Sequence, residues 1–231
     1  MSARELSIVV PAYNEGKNLK GVSDKMVREL DASGIDYEIR VVNNGSTDDS
    51  GDVLKELSER HSRIIVISLA KNEGYSNGIL EGLKGADAEI LGWAHADGQV
   101  DPHDIVRLYR GMKEKGLPLA KAIRKIRHES VFRLIQSTTY YVIFQLLFRS
   151  PYRDINGTPR LMTRVAAQKL QLSSRDWFLE PEFVIKSLRL KMPIYEVETV
   201  WHSRQSGFTR ARLWTGLEFL KNMILYRLGF K

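Results

Sequence analysis

The chain has 231 residues, of which 43% are hydrophobic and 27% charged, with 17 Gly, 7 Pro and no Cys; it is long enough for one buried α/β core, and its composition excludes disorder, collagen, coiled coil, a disulfide scaffold and a structural zinc thiolate site. The formal charge of +7 is unevenly divided, because residues 1–118 carry 15 Lys and Arg against 20 Asp and Glu, a balance of −5, whereas residues 119–231 carry 20 against 8, a balance of +12. A positive half of this size calls for an anionic partner, and composition leaves nucleic acid, a phospholipid surface and a phosphorylated substrate open.

The first half alternates two kinds of segment. Leu6–Val10, Glu38–Val42, Ile64–Ser68 and Glu89–Ala94 are short, apolar and often β-branched, and read as strands. Lys17–Leu30, Asp49–Arg60 and Ser76–Lys84 lie between them with apolar residues at helical spacing, and Asp101–Lys115 follows the fourth strand. This order predicts an α/β fold, a mostly parallel sheet with helices on both faces. Ligands of such sheets bind beyond the carboxyl ends of the strands. The segments there are PAYNEG, NNGSTDDS, AKNEGYSNG and HADGQVDP, all polar or glycine-bearing.

The charge balance changes near Gly116–Pro118, which predicts two halves of one domain, 1–118 and 119–210, followed by a terminal segment, 211–231. A short strand is expected at Leu117–Ile123 and an apolar helix at Tyr140–Phe148, bracketed by Arg133 and Arg149. That helix fits either a buried or an interfacial position. From Arg212 to Lys231, Leu213, Leu217, Leu220, Ile224 and Leu228 recur every three or four residues, predicting an amphipathic helix that packs on the domain or lies on lipid. No window reaches the roughly 18 apolar residues of a membrane-crossing helix. Nothing in MSARELSIVVPAYNEG reads as a secretion signal, so a cytosolic chain is expected.

The strand-end segments carry a resemblance. Val9–Glu15 (VVPAYNE), Val41–Ser50 (VVNNGSTDDS) and the stretch from Asn72 and Gly74 through Gly85, in this order, resemble the family 2 glycosyltransferases of the GT-A fold, a Rossmann-like α/β architecture. The likeness is greatest to the branch that contains dolichol-phosphate mannose synthase and other polyprenyl-phosphate glycosyltransferases. It implies that Pro11, Ala12, Tyr13, Glu15, Asn43, Asn44, Gly45, Ser46, Asn72, Gly74, His95 and Asp97 hold a nucleotide-diphosphate sugar. Asn43 and Asn44 stand where the family has an Asp pair, so carboxylates that only accept have become amides that also donate.

The family's D-x-D cation motif here reads His95-Ala96-Asp97-Gly98-Gln99. The resemblance makes Asp97 the catalytic-site carboxylate and assigns Asp97 and Gln99 to a divalent cation, Mn²⁺ or Mg²⁺. The histidine weakens the case for a hard cation and moves the balance towards Mn²⁺. The resemblance also places acceptor phosphate near Arg124 and Arg133, and Arg204 and Arg210 occur in a segment (RQSGFTR) similar to another phosphate-contacting stretch. Guanidinium groups suit bidentate recognition of such an anion.

The function expected from residues and resemblance together is inverting transfer of a sugar from a nucleotide-diphosphate donor to a polyprenyl phosphate. It would take place on the cytoplasmic face of a membrane, with the chain held there peripherally or by a separate membrane partner protein. Two alternatives stand beside it. One uses a saccharide or glycolipid hydroxyl, with Glu180 or Glu182 as base; the other is a non-catalytic member that binds nucleotide sugar or lipid. Nucleic acid is not an expected partner.

Overall fold

A computed structural model describes residues 4–127, 131–202 and 213–229. Strand β1 (Arg4–Ala12) is apolar and buried from Leu6 to Val10, as a central strand covered on both faces must be. Helix α1 (Gly16–Ser33) buries Leu19, Ser23, Met26, Val27 and Leu30 along one side, and ends where Gly34 turns left-handed at φ 74°. There follow β2 (Tyr37–Asn44), α2 (Ser50–Arg60), β3 (Ile64–Leu69), α3 (Tyr75–Leu83), β4 (Ala88–Trp93) and α4 (His103–Glu114). All eight elements occupy the segments that apolar periodicity marks, with ends displaced by three residues at most.

The second half departs further from that reading. β5 (Leu119–Arg127) lies where a strand is expected, but α5 (Val131–Phe148) begins well before Tyr140. β6 (Arg160–Thr163), α6 (Arg164–Leu170) and α7 (Leu179–Arg189) have no clear counterpart in the periodicity, before β7 (Ile194–Trp201) and α8 (Leu213–Leu228) complete the order. Four residues of strand and seven of helix are too short to show a period.

The seven strands form one sheet in the order β3-β2-β1-β4-β6-β5-β7. β6 is antiparallel to both β4 and β5, while β1, β2, β3 and β4 run parallel, as do β5 and β7. The sheet therefore continues through residue 118 without a break. One face is covered by α1, α2 and α4 through Leu19, Leu30, Leu54, Ile105 and Leu108. The other is covered by α3, α5, α6, α7 and α8 through Ile79, Phe144, Leu170, Phe183 and Tyr226. Each such aliphatic or aromatic side chain contributes about 1.5–3 kcal/mol on burial. α3 sits especially close to the sheet: a Cβ on Gly82 would lie 2.2 Å from Val9 and 2.9 Å from Val42.

Helix α8 packs on the domain, but not through its aliphatic stripe. The face it buries carries Asn222, Met223 and Tyr226, with half-buried Phe219, whereas Ile224 and Leu228 of the aliphatic stripe are 46% and 64% exposed. Aromatic packing decides the orientation. Tyr226 stacks on Phe178 at 5.2 Å between ring centres, Phe219 meets Tyr140 at 5.1 Å, and Asn222 Nδ2 donates to Asp176 Oδ2 at 2.7 Å. The side chains of Leu213 and Leu217 lie outside the described part. Among the described residues, no helix is long and apolar enough to cross a membrane.

Candidate functional site

Because the sheet is parallel through β4, its register brings the ends of β1, β2 and β3 level: Ala12 pairs with Asn43, and Asn44 with Leu69. Short polar side chains then fasten these loops to one another. Asn14 N–H donates to Ser46 Oγ at 3.0 Å, Thr47 N–H to Asn14 Oδ1 at 2.8 Å, and Glu15 N–H to Ser50 Oγ at 3.0 Å. Asn43 Oδ1 accepts the Ser46 N–H at 3.0 Å and closes the turn. Gly45, at φ 66°, is required there, since a Cβ would lie 2.3 Å from the Lys71 carbonyl carbon.

Asn44 is 2% exposed and has both ends of its amide engaged by protein. Its Nδ2 donates to Gly74 O at 2.8 Å, and its Oδ1 accepts the Glu73 N–H at 3.0 Å, tying β2 to the loop before α3. A carboxylate could make the second bond but not the first, which explains an amide at this position. Asn72 Oδ1 accepts the Gly74 N–H at 2.9 Å. Pro11 faces α3, where a Cβ on Gly78 would lie 3.2 Å from it. Tyr13 is half-buried, and Glu15 Oε2 accepts from Asn18 Nδ2 at 2.6 Å at the start of α1.

The loop after β4 joins this rim through aromatic rings. His95 stacks on Tyr75, at 5.4 Å and 13°, and meets the edge of Trp201 at 5.7 Å. Tyr75 stacks in turn on Trp177 at 5.2 Å. Tyr75, Trp177 and Trp201 have no warning in the sequence, since more than 120 residues separate the first from the last and only the fold unites them. Asp97 is half-buried, and its Oδ1 accepts the Gln99 N–H at 3.1 Å. Gln99 latches the loop to the end of β7: its Nε2 donates to His202 O at 3.0 Å, and its carbonyl accepts the His202 N–H at 2.9 Å.

The residues present fit a divalent cation in one particular way. Among the described residues, no three His, Asp or Glu side chains gather closely enough to cage one. Asp97 makes no ion pair there, and the amide oxygen of Gln99 is the end that does not donate to His202. One carboxylate with one carbonyl-type oxygen suits a Mg²⁺ or Mn²⁺ ion that takes its other ligands from phosphate and water. A cleft of about 430 Å³ beside the latch, lined by Glu29, Asp101, His103, Asp104, Arg107 and Glu198, is less suited to a diphosphate. Its carboxylates are already matched by Lys25, His103, Arg107 and Lys125, which leaves no surplus of positive charge.

The second half holds its charges differently. Arg124 is clamped by Asp154, with Nε to Oδ2 at 2.8 Å and Nη2 to Oδ1 at 2.6 Å, and lies over the Trp201 ring at 5.0 Å. This puts it one ring away from His95. Lys121 is wholly buried and paired with Glu196 at 2.7 Å; burial draws its ammonium down to about 8 against the pull of that carboxylate. Arg160 is also wholly buried, donating to the backbone oxygens of Gly157, Glu180 and Ile155 beneath the Phe183 ring, and burial lowers it to about 10. Arg133 is placed on α5 by its backbone alone; its side chain, and Arg204 and Arg210 entirely, lie outside the described residues.

The two carboxylates in the first turn of α7 are unlike. Glu182 accepts the Ser173 and Ser174 N–H groups, at 3.1 and 2.8 Å, and pairs with Lys186 at 2.6 Å. Burial pushes its carboxyl up, but Lys186 and the Ser174 N–H outweigh this and hold it below the usual glutamate range. Such a group is a poor base. Glu180 is 5% exposed, and its negative charge joins burial in raising the Tyr75 phenol well above its ordinary value.

The sequence profile of the family described as Glycosyl transferase family 2 matches residues 7–178. A Bacillus subtilis (strain 168) protein named as a glycosyltransferase, CsbB, is 31% identical over 83% of this chain and 58% of its own length. The human dolichyl-phosphate beta-glucosyltransferase is 26% identical over 98% of this chain and 76% of its own. In three dimensions the chain is similar to glucosyl-3-phosphoglycerate synthase from Mycobacterium tuberculosis, crystallised with Mn²⁺, UDP and phosphoglyceric acid. That likeness has a TM-score of 0.76 at 17% identity, and covers 98% of this chain and 79% of that one. The chain thus spans little more than half the length of the Bacillus relative.

Proposed function

This chain belongs to glycosyl transferase family 2, and on that premise we propose that it transfers a sugar from a nucleotide-diphosphate donor to a polyprenyl phosphate at the cytoplasmic surface of a membrane. The observation that carries the reading is the rim itself. The loops after β1, β2 and β3 are fastened to one another by hydrogen bonds, and the loop after β4, which carries Asp97, meets them through the stack of His95 on Tyr75, at the sheet edge where α/β proteins take nucleotides. The dolichyl phosphate in the name of the human relative supports a lipid phosphate acceptor, and the +12 balance of residues 119–231 suits an anion.

In this reading Pro11, Tyr13, Glu15, Asn43 and Ser46 face the nucleoside, while Asn44, Asn72 and Gly74 keep their loops in register. Asp97 and the Gln99 amide oxygen hold Mn²⁺ or Mg²⁺, which when bound neutralises charge on the departing diphosphate. Tyr75 and Trp201 fix the plane of His95 beside it. Arg124, already balanced by Asp154, orients an acceptor phosphate rather than attracting it by net charge. Attack comes from the acceptor oxygen on the face opposite the leaving group, so the anomeric centre inverts. The protein's share is positioning and electrostatic stabilisation. An ionised phosphate acceptor needs no base, consistent with the engaged state of Glu182.

The test is transfer of labelled sugar from UDP and GDP donors, with Mn²⁺ or Mg²⁺, to polyprenyl phosphate in vesicles. A lipid-extractable sugar phosphodiester is expected. Product formed only on a saccharide or glycolipid hydroxyl, and lost in Glu180→Gln, would replace this reading with the hydroxyl alternative, for which the buried Glu180 carboxylate is the favoured base.

A further inference from the structure

Helices α5 and α8 each bury one face in the same aromatic cluster, α5 through Phe144 and α8 through Met223 and Tyr226, and pack together where Tyr140 meets Phe219. Their opposite faces therefore look outward from the same side of the sheet. Both outward faces are aliphatic. On α5, Val142 and Leu146 are one turn apart and 47% and 77% exposed; on α8, Ile224 and Leu228 repeat the spacing at 46% and 64%. Half-buried Leu220 extends the α8 stripe by a further turn.

The charges beside the stripes are basic. At 3.6 residues per turn, exposed Arg227 and Lys221 fall on the two sides of the Leu220–Ile224–Leu228 line, and exposed Arg149 follows the last residue of α5, three residues after Leu146. Long basic side chains flanking an apolar stripe can lie along it and lift their charges to a phosphate layer above. The exposed hydroxyls of Thr138 and Thr139 stand one turn before Val142, and beyond them aliphatic residues edged by Lys and Arg match an anionic lipid interface.

The surface also borders the candidate site. Asn222, on the buried side of α8, donates to Asp176, and the Asp176 carbonyl accepts from Ser76 Oγ in α3. The next residue, Trp177, is 37% exposed and stacks on Tyr75, which stacks on His95. From these observations we propose that the outward faces of α5 and α8, centred on Leu146, Ile224 and Leu228 and edged by Arg149, Lys221 and Arg227, are the docking surface of this chain for an anionic bilayer. The surface is argued from exposure and charge alone, but its purpose rests on the lipid-acceptor reading: a lipid held in that bilayer meets the protein beside Trp177.

The experiment is sedimentation of the whole chain with vesicles of phosphatidylglycerol in phosphatidylcholine, and with phosphatidylcholine alone, across a salt series. Binding to the anionic vesicles is expected, weakening as salt rises. The double variant Leu146→Asp, Leu228→Asp is expected to bind at least about tenfold more weakly, and Lys221→Gln with Arg227→Gln about fivefold per charge removed. Both variants keep the thermal shift given by UDP or GDP sugars, which shows that they are folded. Salt-independent binding to neutral vesicles, no vesicle binding by the unaltered chain, or full binding by the aspartate variant would overturn the proposal. So would a dimer of the unaltered chain in light scattering that the aspartate variant dissolves, since the face would then belong to a second copy. Vesicle binding without transfer to polyprenyl phosphate would leave the surface standing and remove the acceptor reading instead.

Discussion

The two halves of the molecule distribute polarity in opposite ways. Up to residue 118 the buried side chains are mostly apolar, the buried carboxylates Glu38 and Asp104 are paired with arginines that reach the surface, and the strand-end rim is knitted by small amide and hydroxyl side chains. Beyond it, Lys121, Arg160 and Glu182 are wholly buried while Leu146 and Leu228 are left in solvent. The lesson is one of division of labour. Under the proposed function, the rim that would grip a nucleotide is built from neutral hydrogen bonds that need little desolvation, whereas the half proposed to face an acceptor carries fully buried ionic groups and exposed apolar ones.

The largest effect should come from the rim. Asp97→Ala is expected to lower transfer about 10²–10³-fold with an unchanged circular dichroism spectrum, because it removes the carboxylate available to a cation without disturbing a packed contact. In the second half, Arg160→Met should instead act on stability, by about 3 kcal/mol or more, since three backbone oxygens lose their donor at a fully buried position. Urea unfolding gives the number, and a loss below 1 kcal/mol would mean that the buried charge is idle. Glu182→Gln is expected to cost about 2 kcal/mol at pH 7. Its folded carboxyl lies below the unfolded value of 4.5, so the stability it provides is present above that pH and fades as pH falls through the lower folded value. The gap between the two proteins should accordingly hold from pH 7 to about pH 5 and narrow as the pH falls below 4.5; a gap that stays constant at still lower pH would contradict the ionised state assigned to it.

The smallest change sharpens the comparison most finely. Asn44→Asp restores the residue usual in the family, yet sets a carboxylate against Gly74 O. A loss of about 1–2 kcal/mol is expected, together with weaker donor binding from a slackened loop before α3. If the variant were as stable as the unaltered chain, the amide would have to serve the ligand rather than the loop.

The same contrast explains how much could be read in advance. Val9, Val41 and Ile90 sit in strands that are buried on both faces, and Leu19, Met26 and Leu30 mark a helix face directly, so the architecture of the first half and the loops at its rim were legible. Gly45 and Asn44 were legible as rim residues, but their contacts with Lys71 and Gly74 require the register of three strands. β6 was hidden by its length, and Arg160 within it by its charge, which ordinarily marks a surface. The leucine stripe of α8 marked a real helix, but the face that packs on the domain is the aromatic one, where Tyr226 meets Phe178 and Phe219 meets Tyr140. Periodicity reports which face is apolar, and not which of two apolar faces finds a partner.

The central claim is that the rim around Asp97 holds a nucleotide-diphosphate sugar together with a divalent cation. Thermal unfolding of the chain with UDP and GDP sugars, each with and without Mn²⁺, tests it most directly, because a ligand that binds only the folded state raises the transition. A rise of several degrees for at least one donor, dependent on Mn²⁺ and abolished by Asp97→Ala, is the predicted result. No rise with any donor, or the same rise in Asp97→Ala, would contradict it.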